Sequence, residues 1–264
     1  MKIMDWEKFV SFVEKYEPGY SKKIKGSSDE SISNFQKYCP KKFPVNYINF
    51  LKTMGDDIGG LPIFQNLLLK PDDILEYAES KSIPVFIENR YFCFAIWPDE
   101  APGLSLDMRS DECLDFEQGD EIDTFISDYN RLDMEADDDF HTTLAEHLQN
   151  RVFEEYVYKN SLNQSALIVS CSNDDNFTIK YEDQLKKCKK ICDVMIRLGI
   201  ESVLSGSEHQ WYGIGMNNIC VKVEIFYDDN FISLDIGGDD EKEVHKIMEI
   251  MEDNFSARIS QVRY

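Results

Sequence analysis

The sequence predicts an α+β fold in two domains. Some stretches carry apolar residues at helical spacing, others alternate apolar with polar, and the two kinds follow no regular βαβ order. With 264 residues, 42% of them hydrophobic and 17 Phe and 13 Tyr among them, the chain can fill two cores. A polar run, Lys159–Ser165, reads as the linker between domains spanning 1–158 and 166–264.

Residues 4–16 read as an amphipathic helix with Trp6, Phe9, Val10 and Val13 on one side. Lys22–Glu30 is a polar loop. A second helix runs from about Ser31, with Ile32 and Phe35 inward, and stops before Pro40. A third starts near Pro44, a residue suited to a first helical turn. Its Tyr47, Phe50, Leu51 and Met54 share a face, and Gly55 can end it. Gly59 and Gly60 turn the chain. Ser82–Trp97 is rich in β-formers and divides into two strands around Asn89-Arg90, and Gly103–Met108 is a further strand. Glu121–Arg131 reads as a helix, with Ile122, Phe125, Ile126 and Tyr129 at i, i+3, i+4 and i+7. Residues 140–156 read as another, carrying Phe140, Leu144, Leu148 and Val152.

The second half opens with a short strand, Ala166–Cys171. Glu182–Leu198 follows as a helix with Leu185, Cys188, Cys192 and Met195 on one face. Val221–Tyr227 and Ile232–Ile236 alternate around the turn Asp228-Asp229-Asn230, which predicts an antiparallel hairpin. Asp239-Asp240 can cap a last helix carrying Val244, Ile247, Met248 and Met251.

Charge is the most uneven property of the chain. Residues 1–98 balance 13 basic against 13 acidic side chains. Residues 99–146 hold 17 acidic and only 2 basic, so most of the net −22 sits there. Such a field draws basic partners and repels nucleic acid and anionic membranes. No apolar run reaches membrane-spanning length. The amino terminus, charged and amphipathic at once, is unlike a secretory signal. Seven cysteines in mostly apolar settings predict a reducing, cytoplasmic compartment.

The run Ser31–Gly60 resembles the N-terminal signature of the SUKH superfamily: an apolar pair on a helix, then Pro-x-x-Tyr-x-x-Phe-Leu and a glycine turn. The matching positions are Ile32, Phe35, Pro44, Tyr47, Phe50, Leu51 and Gly55. The later order is similar too, with Ile83-Pro84-Val85 opening a strand pair, a strand at Leu104–Asp107 and a helix like Ile122–Tyr129. A Gly-Gly-Asp-like turn frequent in the family is replaced by Glu88-Asn89-Arg90. The resemblance covers about residues 1–155 and implies a mixed sheet flanked by helices; the smaller C-terminal α+β domain with its hairpin matches no family by its residues. It also implies a bacterial immunity protein that binds and neutralises a cognate toxin, many such toxins being nucleases, or else a non-enzymatic regulatory scaffold as in fungal relatives. Neither role needs a catalytic residue or a cofactor.

The acidic stretch could be no more than a solvated face. Asp120–Asp123 and Asp137–Asp139 have a structural explanation, since they precede predicted helices whose N-termini favour negative charge. Asp107–Asp120 is loop-like and lacks one. The expected partner-binding set is therefore Trp97, Asp99, Glu100, Asp107, Asp111, Glu112, Asp115, Phe116 and Glu117. Its acids would steer a toxin with a basic surface, and its aromatics would anchor it.

Other chemistry is thinly supported. Neither Asp111–Glu121 nor Asp133–Asp139 has EF-hand spacing. Cys188 and Cys192 lack a companion ligand pair for zinc, so core packing accounts for them. Ser205-Gly206-Ser207 is not a nucleophile elbow, and Gly213-Ile214-Gly215 is not a dinucleotide fingerprint. Lys186, Lys187, Lys189 and Lys190 read as a solvated helix face. Of the histidines (His141, His147, His209 and His245), only His209, in a polar loop beside Trp211, offers a place for a hydrolase.

Overall fold

A computed structural model describes residues 4–61, 67–81, 85–87, 91–96, 103–107, 126–130, 135–137, 144–170, 181–204, 210–226 and 231–263. The chain divides into two compact units, Met1–Leu148 and Gln149–Tyr264.

The N-terminal unit opens with α1 (Trp6–Tyr16), capped by the Asp5 carboxylate, which accepts from the Lys8 amide at 2.9 Å. Trp6, Phe9, Phe12 and Val13 form its buried face. The stretch expected as a polar loop instead holds the end of α2 (Tyr20–Lys23) and β1 (Ile24–Lys25), which pairs antiparallel with β2 (Asp57–Ile58). Glu14 starts α2 by accepting from the amides of Gly19 and Ser21, and these bonds hold its carboxyl below the usual range. Ser28 caps α3 (Asp29–Gln36), and α4 spans Val45–Met54 directly after Pro44.

Gly55 follows α4 with right-handed backbone, so it is not a left-handed cap. Its role is closeness: a Cβ there would lie 2.5 Å from the Ser27 hydroxyl oxygen and 2.7 Å from the Leu51 carbonyl oxygen. Gly59 and Gly60 do turn the chain in the left-handed region, with φ of 67° and 78°.

Helix α5 (Pro71–Lys81) was not foreseen, because Pro71, Asp72 and Asp73 resemble a turn when read without the helix they start. Strands β3 (Phe86–Ile87), β4 (Tyr91–Ile96), β5 (Gly103–Asp107), β6 (Ile126–Asn130) and β7 (Glu135–Asp137) form a sheet in that order. Each of its pairings is antiparallel, which corrects the expected mixed sheet. The expected helix over Glu121–Arg131 is also corrected: residues 126–130 are β6, paired on both sides. Ser127, Asp128 and Asn130 are weak helix formers, and two flanking strands satisfy this backbone more fully than a short helix would.

The core of this unit is aromatic. Phe92 of β4 meets Phe43 at 4.7 Å and Phe35 at 4.9 Å, and Phe94 meets Tyr47 at 5.9 Å. All seven of the SUKH-like positions, Ile32, Phe35, Pro44, Tyr47, Phe50, Leu51 and Gly55, are buried here or beside it.

Helix α6 (Leu144–Tyr156) carries the chain across the division. The expected linker is a 3-10 turn, Tyr158–Asn160, followed at Asn163 by β8 (Asn163–Ser170). The hairpin is β11 (Cys220–Phe226) with β12 (Phe231–Gly238), embedded in an antiparallel six-stranded sheet rather than alone. Its order is β13 (Arg258–Arg263), β8, β12, β11, β10 (Gln210–Ile214), β9 (Glu201–Ser202). Leu167, Val223, Leu234 and their neighbours meet α7 (Tyr181–Arg197) and α8 (Glu241–Phe255) on one face. Asp240 caps α8, its carboxylate accepting from the Lys242 amide at 2.9 Å.

Candidate docking surface

Three described parts of the acidic stretch, residues 103–107, 126–130 and 135–137, are strands of the N-terminal unit's sheet. Of the expected partner-binding residues, Trp97, Asp99, Glu100, Asp111, Glu112, Asp115, Phe116 and Glu117 lie outside the described residues. Asp107 is the last residue of β5, opposite Tyr91 of β4. β6 starts at Ile126, which pairs with Leu106 of β5. Both ends of the 108–125 connection are therefore pinned on neighbouring strands, ~4.8 Å apart. That connection holds seven carboxylates and one arginine.

Topology separates the expected set into two groups. Ile96 pairs with Gly103, so the chain leaves β4 toward Trp97 at one end of the ladder. It leaves β5 toward Met108 at the other end, a strand length of ~17 Å away. Trp97, Asp99 and Glu100 thus start from the opposite end of the sheet to the group beyond Asp107. The helix expected after Asp120–Asp123 is strand at residues 126–130, which corrects that explanation for these acids; Asp137 lies in β7, and Asp138 and Asp139 lie outside the described residues.

A second acidic feature was not legible, because α5 was not. An open cleft of about 440 Å³ lies between α3 and α5, lined by Asn34, Lys37, Tyr38, Asp72, Leu75, Glu76 and Glu79. Tyr38, 44% exposed, donates its hydroxyl to Glu79 at 3.2 Å, and this bond raises its pKa. Ser31 donates to Asp72 at 2.9 Å. Three carboxylates against one lysine make the cleft suited to a cationic side chain.

The C-terminal unit hides a charged centre. Lys222, on the sheet face away from α7 and α8, is only 7% exposed. Its ammonium lies 3.2 Å from Asp235, 3.3 Å from Glu224 and 3.3 Å from Glu154 of α6, and it donates to Asn150 at 3.2 Å. Burial works to lower its pKa, but the three carboxylates outweigh burial and hold it above the ordinary value. Gln210 donates to Glu224 at 2.6 Å and accepts from the Tyr212 hydroxyl at 2.5 Å, and Phe153 of α6 packs on Tyr212 at 5.2 Å. The arrangement fastens the second half of α6 to the sheet. A paired, protonated lysine of this kind is neither nucleophile nor base. The hairpin could have signalled it, because pairing Phe226 with Phe231 sets Lys222 opposite Asp235.

The remaining motifs have ordinary places. Cys188 is buried and Cys192 half-buried against the core of this unit; their thiols hydrogen-bond, and Cys188 is lowered while Cys192 is raised. Lys186 pairs with Asp183 and Lys187 donates to the Ser170 carbonyl. Trp211 packs against the core and lies across Gly213, where a Cβ would come 2.2 Å from its ring. That close approach, not phosphate binding, is what the glycine serves. His141 and His209 lie outside the described residues, and His245 faces Glu241 at 3.8 Å. Among the described residues no group of three potential ligands could hold a metal, and no helix is long and apolar enough to cross a membrane.

The chain matches no family model and no curated protein sequence.

Proposed function

We propose that this protein is a non-enzymatic protein-binding module, and that its N-terminal unit docks and occludes a cognate toxin with a basic surface, in the manner of a SUKH-type immunity protein. One observation carries the reading. Seven carboxylates lie in a single 108–125 connection whose ends are pinned by Leu106 and Ile126 in the sheet. A charged segment tethered at both ends loses less entropy on binding than a free tail. Its field can raise the association rate ~10- to 10³-fold over an uncharged surface. The helix order around Ile32–Gly55, which resembles that family, names the class of partner. The reading includes no cofactor, no nucleic-acid or membrane partner, and a reducing cytoplasmic setting, supported by the buried cysteines Cys39, Cys93, Cys188 and Cys220, which form no disulfide.

The test is a reversal of Asp111, Glu112, Asp115 and Glu117 to lysine, assayed against the toxin encoded beside this gene. Association should slow at least tenfold at low salt and protection should fall. Unchanged association and protection would overturn the proposal. The α3–α5 cleft favours a second reading, a scaffold that holds a basic segment of another cellular protein. Glu76→Lys with Glu79→Lys, leaving toxin protection intact while abolishing binding of such a segment, separates the two.

A further inference from the structure

Exposed apolar side chains are concentrated at one end of the six-stranded sheet. Among the described residues seven large hydrophobic side chains are exposed, and four of them lie here: Leu162, Ile196, Leu198 and Met216. Strand register puts them together. Asn163 pairs with Gly238, Gly237 with Cys220, Cys220 with Ile214, and Ile214 with Glu201. The starts of β8, β11 and β9 and the ends of β12 and β10 therefore share one edge of the sheet. Leu162 immediately precedes β8, Met216 follows β10, and Leu198 leads into β9.

Met216, 81% exposed, is held out by a constrained turn. Asn217 and Asn218 are both left-handed, with φ of 52° and 57°, a conformation that disfavours side chains though asparagine tolerates it best. Asn217 is fastened to Glu243 at 2.9 Å and Asn218 to Asp239 at 2.7 Å, and the Gly215 amide closes the turn on the Ile219 carbonyl at 2.7 Å. Two successive left-handed residues, one tied to α8 and the other to the residue before its cap, fix the turn that carries Met216.

Size and charge select the occupant. From β8 to β9 is four strand spacings, ~19 Å. That matches the apolar stripe of a helix of ~13 residues. Asp239 and Glu243 are held against the turn by Asn218 and Asn217, and Asp240, Glu241 and Lys242 stand between them in sequence. Elsewhere along this end Lys159 is paired with Glu155, Arg197 is balanced in sequence by Glu201, and Arg263 closes β13 opposite Gln164, which leaves a negative surplus.

We propose that this end of the C-terminal unit docks an amphipathic helix of a partner protein, its apolar stripe seated on Leu162, Met216 and Leu198 and its flanks rich in lysine and arginine. The flexible thioether of methionine suits such a seat. This surface belongs to the C-terminal unit, and the proposal does not depend on the role of the acidic connection.

The test uses the full chain with ¹³C-methyl methionine and a synthetic 14-residue leucine/lysine amphipathic peptide, with the same peptide carrying glutamate for lysine as control. The Met216 methyl resonance, assigned by Met216→Leu, should shift saturably with the lysine peptide and stay fixed with the glutamate one. Met216→Gln combined with Leu162→Gln should weaken binding at least tenfold without moving the unfolding midpoint, since both side chains are exposed. Peptide binding unchanged in that variant would place it on the acidic segment and overturn the proposal. So would an unmoved Met216 resonance, equal binding of the glutamate peptide, or a shift produced by protein concentration alone with a dimer mass in light scattering.

Discussion

Lys222 shows what one side chain can decide. Its ammonium neutralises three carboxylates that would otherwise crowd one another on a covered sheet face. Replacing it with methionine keeps the volume and removes the charge, so Lys222→Met should lower stability by on the order of 3 kcal/mol in urea unfolding. The pH dependence has a definite sign. The folded-state pKa of Lys222 is raised, so its contribution is complete below the unfolded lysine value of ~10.4 and is lost as pH climbs through and above it. The gap between wild type and variant should therefore be flat from about pH 7 to 10 and narrow above that. A gap that closes below pH 9 would contradict the assignment. Gly26 makes a similar point through absence: a Cβ there would lie 1.9 Å from the Lys52 carbonyl oxygen, and backbone cannot step aside. Gly26→Ala should lower the melting temperature by several degrees, whereas Gly60→Ala meets open space and carries only the cost of left-handed backbone, ~1–2 kcal/mol.

At the scale of elements, legibility followed how much of each element's stability is local. Helix α8 was readable because its cap, Asp240, and its apolar positions, Val244, Ile247, Met248 and Met251, stand in one stretch of sequence. Asp240→Ala should cost ~1 kcal/mol, read as a lower urea midpoint with unchanged slope. The hairpin of β11 and β12 was readable for the same reason, a clean alternation around one turn. Strand β6 was not. Its Ile126 and Tyr129 fit a helix face as well as a strand, and the choice rests on β5 and β7, neighbours contributed by other stretches. Strand β10 was missed because Trp211 and Gly213 mask alternation. The glycine is there for the tryptophan ring, a contact that exists only once the strand has formed.

At the scale of the molecule, the net charge of −22 is divided between places with different work. Carboxylates such as Glu154, Glu224 and Asp235 are spent on an internal cation. Those of the 108–125 connection, seven in one stretch between β5 and β6, are the ones the proposed docking role calls on. Association with a basic toxin should then weaken steeply with ionic strength, by about tenfold or more between ~20 mM and ~500 mM salt, because the Debye length shrinks from ~20 Å to ~4 Å. A salt-independent rate would assign those carboxylates to solubility alone.

Composition and periodicity were enough for the α+β class, most of the helices, the hairpin and the aromatic core of the first unit, since these depend on residues close in sequence or on hydrophobic type alone. The acidic concentration was equally plain, being a property of composition. Tertiary structure decided where that charge is anchored, that its two expected groups leave opposite ends of one sheet, that residues 126–130 are strand, and that Lys222 meets Glu154 across 68 residues. Each of these turns on partners far apart along the chain, and no local pattern records which distant stretch will supply the neighbouring strand or the opposing charge.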